Sequence, residues 1–191
     1  RSVQSMRPIL GDLPLRLPVV AMNGAFVTDL RTGRHEVVEA MPAGAIGPLL
    51  AAAQACGLEP FVTSYDGQRD NLYLPEPANQ GMAWYLADRT RAADPRLRQD
   101  YASRRWLDEQ IATFTFIDCR ERLEPMLESV LRAAPALGAA FTPHIYTTGW
   151  YWLTVHSGAA SKDRATEALR RRHGLGGLPV EEIEAVAGPV R

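Results

Sequence analysis

One short run, Leu153-Thr154-Val155-His156-Ser157-Gly158-Ala159-Ala160-Ser161-Lys162-Asp163-Arg164-Ala165, limits most tightly what this chain can fold into. Trp150 to His156 reads as a strand, and Ser157 to Ala160 as a turn of small residues. Ser161 falls at a helix N-cap position, with Ala165, Ala168 and Leu169 at helical spacing behind it. Lys162 then lies in the first helical turn, where the partial positive charge of a helix N-terminus disfavours a cation. A phosphoryl group held at that N-terminus removes the conflict. A solvated surface lysine is the plainer alternative, and the surroundings must decide.

Upstream, Leu17 to Met22 is a continuous apolar run that reads as a buried parallel strand ending at the turn dipeptide Asn23-Gly24. Residues 25–30 and 35–38 flank Arg31-Thr32-Gly33-Arg34 as a hairpin. Before them Val3, Met6, Leu10 and Leu13 share a helical face, which Pro8 shortens or kinks. Met41-Pro42 is a break. Beyond it a helix runs from Ile46 to a Gly57 cap, and strands over 60–65 and 71–74 flank Asp66-Gly67. A helix over 79–92 precedes a charged, irregular stretch over 94–110 whose densest feature is Arg104-Arg105-Trp106, a lid element or a helix end. Ile111 to Ile117 reads as a half-buried strand, and Leu123, Met126, Leu127, Val130 and Leu131 mark an amphipathic helix. Strands over 141–146 and 150–156, the 161–173 helix and a short strand over 184–188 complete the order. A strand-helix-strand return after a long insertion predicts one parallel-sheet domain, residues 1–41 and 150–191, interrupted by an α/β unit over 42–149.

The net charge of −1 gives no global electrostatic case for nucleic acid or an acidic membrane surface. No apolar run approaches a membrane span, and Cys56 and Cys119 stand apart with no paired-ligand spacing, which implies a reduced, cytoplasmic setting. His144 and His156 fall in strand-like runs with no partner at metal-ligand spacing. His173 with Arg170-Arg171-Arg172 ends a helix, where cations complement the macrodipole. No residue pattern specifies an oligomeric state. The chain starts at Arg1 and stops at Arg191 just after an apolar run, so both ends read as cut from a longer protein.

Asn23-Gly24-Ala25 after an apolar strand resembles the N-G-A segment of haloacid dehalogenase-like hydrolases, more narrowly the Cof-type branch with a type IIB cap. Gly158-Ala159-Ala160-Ser161-Lys162-Asp163-Arg164-Ala165 resembles the segment carrying that branch's third-motif lysine, and Glu182 to Gly188 looks like the strand leading into its fourth, metal-binding motif. Arg1-Ser2 fits the residues that close the second motif. The resemblance implies a partial Rossmann-like core interrupted by an α/β cap over 42–149. It implies a magnesium-dependent phosphatase of small phosphorylated metabolites, sugar phosphates favoured, working through an aspartyl-phosphate. Lys162 would be catalytic, Asn23, Gly24 and Arg1 would lie at the phosphate, and Arg69 or Asp66 of the cap's Asp66–Asp70 turn would reach the leaving group, the plainer reading of that turn being a solvated hairpin tip. Asn23 is equally well read as a turn former, and Gly24 as backbone geometry alone.

The departures are as informative. The family's first motif, which supplies the aspartate nucleophile, would precede Arg1, and no D-x-D pattern occurs in the 191 residues. Pro189 follows Gly188 where the family has a magnesium-binding aspartate, so no metal ligand is assigned in this chain. The fragment is expected to be inactive by itself. The alternatives are a non-catalytic binding protein on a decayed hydrolase scaffold, or a phosphomutase or other phosphotransferase.

Overall fold

The Asn23-Gly24 turn folds the chain back on itself and sets the first of two sheets. The computed structural model describes residues 2–143 and 148–179. Strands β1 (Val19–Ala21), β2 (Phe26–Thr28) and β3 (His35–Val38) form a three-stranded antiparallel sheet in that order. Helix α1 (Val3–Leu10) begins at Ser2, whose hydroxyl accepts the Ser5 N–H at 3.3 Å. Val3 packs into a small core with Ala21, Phe26 and Leu30. The sequence assigned β1 a parallel neighbour over 184–188, and that segment lies outside the described residues.

The second sheet has six strands in the order β6-β5-β4-β7-β9-β8. These are β4 (Phe61–Tyr65), β5 (Asp70–Tyr73), β6 (Leu97–Arg98), β7 (Gln110–Asp118), β8 (Leu137–Pro143) and β9 (Tyr151–Ser157). All neighbours are antiparallel except β5 and β6. Helices α2 (Ala43–Ala55) and α4 (Arg120–Ala133) cover one face, where Leu49, Leu123 and Met126 meet Val62, Phe114 and Val155. Helix α3 (Gln80–Arg91) covers part of the other, setting Met82 on Phe61, Leu72 and Ile117. Its N-cap is Asn79, whose side chain accepts the Met82 N–H at 2.9 Å and donates to the Ile117 carbonyl at 2.9 Å.

Three features differ from the sequence reading. Alternating Thr113 and Thr115 suggested a half-exposed strand, but β7 runs between β4 and β9 and is covered on both faces, so Thr113 is buried too. The Trp150–His156 run, read as the return to the parallel-sheet domain, is hydrogen-bonded between β7 and β8 of the six-stranded sheet. Its partners are strands distant in sequence, which local periodicity does not reveal. Arg104-Arg105-Trp106 does stand at a helix end, with Arg104 capping the 3-10 helices Tyr101–Ser103 and Arg105–Asp108, but Trp106 itself is core. It fills the core beside Phe114 (5.8 Å between centroids), and its indole N–H donates to the Tyr101 carbonyl at 3.1 Å.

Two stretches join the sheets, Glu39–Met41 and Ser157–Ala160, and they run side by side. Ser157 Oγ donates to Glu39 Oε1 at 3.3 Å, and the Met41 N–H donates to the Ile111 carbonyl at 2.7 Å. Among the described residues no helix is long and apolar enough to cross a membrane.

The turn after α3 is closed by an ion pair. Arg96 donates to both carboxylate oxygens of Asp94, at 2.9 and 2.6 Å, and the Asp94 side chain is 1% exposed. Burial pushes the Asp94 carboxyl up, but the Arg96 hydrogen bonds and charge outweigh this and hold it below the ordinary range. A depressed native value means stability that is present above the unfolded-state pKa and lost as pH falls through the native one. Asp94→Asn is expected to cost about 2 kcal/mol at pH 7, the scale of a hydrogen bond to a charged group. Urea unfolding of both proteins should show that gap shrinking once the pH drops below the usual aspartate range; a gap independent of pH would remove the ion pair from the account.

Candidate functional site

The turn after β1 takes an unusual backbone path. Met22, Asn23 and Gly24 all have positive φ, at 48°, 55° and 95°. The first two are tolerated as single left-handed residues, whereas a φ of 95° suits glycine. Gly24 must also lack a side chain, because a Cβ there would lie 2.4 Å from the Ser161 carbonyl carbon and oxygen. The turn thus lies backbone to backbone against the start of helix α5 (Lys162–Arg172).

Ser161 is the N-cap of α5, as the sequence indicated, and its hydroxyl accepts the Arg164 N–H at 3.4 Å. Lys162 is the first helical residue and is exposed; Asn23 is half-buried in the adjoining turn. Among the described residues Lys162 forms no ion pair with a carboxylate. The first-turn amides of a helix point outward without intrahelical acceptors. Asn23, Gly24 and Lys162, far apart in the chain, are therefore brought together at one helix N-terminus. A cation, a carboxamide and the positive end of a dipole on one side of the molecule suit an anion. Beside it a cleft of about 250 Å³ separates α5 from the β2–β3 hairpin, with Val27, Ala165 and Leu169 in its walls. Lys162 is not in that cleft, which is a mainly apolar seam.

The other sequence candidates lie elsewhere. Arg69 is at the tip of the β4–β5 turn, 71% exposed, with Nε 3.5 Å from Asp66. Asp66 itself accepts the backbone N–H groups of Gln68 and Arg69, as a turn former does. Arg1, His144, Gly188 and Pro189 lie outside the described residues. Arg172 pairs with Glu36 of β3 at 2.7 Å and ties the helix to the small sheet, while Arg170 pairs within α5 with Glu167 at 3.1 Å. His156 donates from Nδ1 to the Ser157 carbonyl at 2.8 Å, its ring lying where a Cβ on Gly138 would stand. Among the described residues no group of three or more His, Cys, Asp or Glu side chains could hold a metal ion. No residue of the described part is therefore assigned to magnesium.

Two polar clusters went unseen in the sequence. Ser64, Asn71 and Tyr73 all donate to the Glu109 carboxylate, at 2.5, 2.9 and 2.5 Å. Burial and the Glu109 hydrogen bond push the Tyr73 phenol well above its ordinary value. Thr28, His35 and Asp70 form the other, between the two sheets. Period-two spacing on β4 and β5 hints at the first; nothing local hints at the second.

No family model matches the chain, and no curated protein matches it. Solved structures do. A haloacid dehalogenase-like hydrolase from Bacteroides thetaiotaomicron superposes with a TM-score of 0.64 at 14% identity, over 92% of this chain and 62% of that one. The chain has the fold of the haloacid dehalogenase-like hydrolases. A protein of Thermotoga maritima gives a TM-score of 0.62 at 18% identity, over 90% of this chain and 59% of its own. A phosphatase of that superfamily, also from Bacteroides thetaiotaomicron, gives 0.59 at 15%, over 92% and 57%. The chain thus spans about 60% of the length of these proteins.

The close approach at Gly24 yields a test. Gly24→Ala adds a methyl group where backbone already stands and forces a left-handed alanine, so a loss of about 1–3 kcal/mol is expected. Denaturant unfolding would measure it, and faster amide exchange at Arg164 and Ala165 would locate it. An unchanged unfolding midpoint would mean that the turn and α5 separate without cost.

Proposed function

We propose that this chain is the greater part of a magnesium-dependent phosphatase of small phosphorylated metabolites, sugar phosphates favoured, in which Lys162 and the Asn23-Gly24 turn hold the phosphoryl group. The observation that carries this reading is the Gly24–Ser161 contact, which sets the Asn23 turn against the N-terminus that bears Lys162. An anionic nucleophile approaching a phosphate monoester meets electrostatic repulsion, and a fixed ammonium group lowers it most where charge accumulates in the transition state. Lysine suits the task as a compact point charge on a long stem. Asn23 donates a neutral hydrogen bond to a second phosphate oxygen, and Ser161 holds the helix start so that its free amides face the same anion.

The covalent route is attack by an aspartate carboxylate on phosphorus, release of the alcohol, and hydrolysis of the aspartyl-phosphate by water. That aspartate and the magnesium ligands are assigned to parts of the protein beyond the described residues, and no step is built on the metal. The fold of the superposed hydrolases supports the assignment by analogy. Thr115, Thr154 and His156 are half-buried on one face of the six-stranded sheet, the face that also carries Ala112 of the small N-terminal core. Hydroxyls and an imidazole there suit a hydroxylated leaving group.

In the intact protein Lys162→Ala should lower kcat by roughly 10²–10³, as loss of one transition-state contact does. Its unfolding midpoint should barely move, since a first-turn lysine gains nothing from the helix dipole. Lys162→Arg should also be impaired, because a planar fork places its charge differently. The 191-residue chain alone should show no magnesium-dependent phosphatase activity. Turnover of sugar phosphates by that chain, or an intact Lys162→Ala protein of undiminished rate, would sink the reading.

A further inference from the structure

His35 opens β3 of the small sheet, yet its principal partner is across the molecule. Its Nδ1 is 2.7 Å from Thr28 Oγ1 on β2, and its Nε2 is 2.6 Å from Asp70 Oδ1 at the start of β5. The His35 side chain is 2% exposed and that of Asp70 14%. One ring face stacks on Phe26, 4.2 Å between centroids at 14°, and Tyr65 of β4 meets the ring edge-on at 4.8 Å and 69°. A hydroxyl, an imidazole and a carboxylate in line invite comparison with a nucleophilic triad. Thr28 is 0% exposed, however, so no substrate reaches its oxygen.

We propose that Thr28, His35 and Asp70 form a proton-operated latch between the two sheets. The argument is one of donors and acceptors. With a neutral ring, Nε2–H donates to Asp70 and the Thr28 hydroxyl donates to Nδ1. With an imidazolium, Nε2–H still donates to Asp70, while Nδ1–H donates to the Thr28 oxygen, since a hydroxyl serves in either role. Proton uptake therefore breaks no hydrogen bond and turns the Asp70 contact, already accepted by a carboxylate, into a full ion pair. The groups facing the ring from the packed elements are Phe26 and Thr28 on β2, Tyr65 on β4 and Asp70 on β5; the Tyr65 hydroxyl donates to the Gly67 carbonyl at 2.8 Å. On β3 itself Glu36 pairs with Arg172 at 2.7 Å. Asp70 is thus the charged group in contact with the ring among the described residues. The latch holds the sheets together more firmly with the proton on than with it off.

The test uses spin labels in the full chain at two exposed tips, Thr32→Cys on the β2–β3 hairpin and Gln68→Cys on the β4–β5 turn, with Cys56 and Cys119 replaced by serine. Distances between the labels report separation of the sheets, and proton NMR of the His35 ring reports its protonation in the same samples. The ratio of separated to latched molecules should rise severalfold as His35 loses its proton, since the bond to Asp70 then keeps its charged acceptor but loses its cationic donor. Asp70→Asn should remove that step and separate at every pH at least as readily as the deprotonated parent. His35→Gln, which keeps a donor towards Asp70 but takes up no proton, should also give a flat profile. A parent whose label distance ignores His35 protonation would overturn the latch, and so would an Asp70→Asn protein that keeps the step. Neither readout involves phosphate hydrolysis, so the latch and the proposed activity fail separately.

Discussion

Contact between two backbones, with no side chain between them, is the constraint on which the arrangement of this protein depends. Gly24 lies on Ser161 so closely that a methyl group has nowhere to go. The contact joins the end of the first strand to the beginning of the last described helix, with the six-stranded sheet inserted between them in sequence. Hydrogen bonds then set the angle of that insertion: Met41 to Ile111, Ser157 to Glu39, and His35 to Asp70. Hydrophobic burial supplies most of the stability of each part but is indifferent to direction. These few directional contacts are what specify how the parts meet.

The six-stranded sheet shows the same division of labour. Its strength comes from aromatic and branched residues on both faces of β7, with Phe114 and Phe116 almost wholly buried. Its polar groups are satisfied in local clusters, of which Glu109 with three donors is the clearest. A half-buried carboxylate so surrounded favours one register of β4 and β5, because a shift by one residue would turn the buried Ser64 and Asn71 away from it.

Much of this was legible in the sequence where the signal is local. Ser161 as N-cap, Gly57 at the end of α2, the Asp66-Gly67 turn and the hairpin around Thr32 are read from neighbours in the chain, and each stands as expected. Strand β8 was seen only in its second half. Leu137 to Ala140 carries glycine and alanine, which have little β-propensity, and holds its place by pairing with β9. The position of β9 in the six-stranded sheet, the burial of Trp106 and the His35–Asp70 pair depend on partners tens of residues away. A periodic pattern says which face of an element is buried, not which element buries it. At the site, a turn and a capped lysine were visible singly, and their meeting rested on resemblance until the Gly24 contact gave it a physical cause.

Strand β9 has a further mechanical consequence. It is held on one edge by β8 from Tyr151 to Ser157 and on the other by β7 from Tyr151 to His156. Four residues, 158–161, separate its last residue from Lys162. Strand and helix start are thus two ends of one short lever, with the Ser157–Glu39 hydrogen bond near its pivot. Thr154 and His156 lie on the sheet end of that lever and the ammonium group on the other. A tilt of the strand would have only that short link in which to dissipate before it reached the helix.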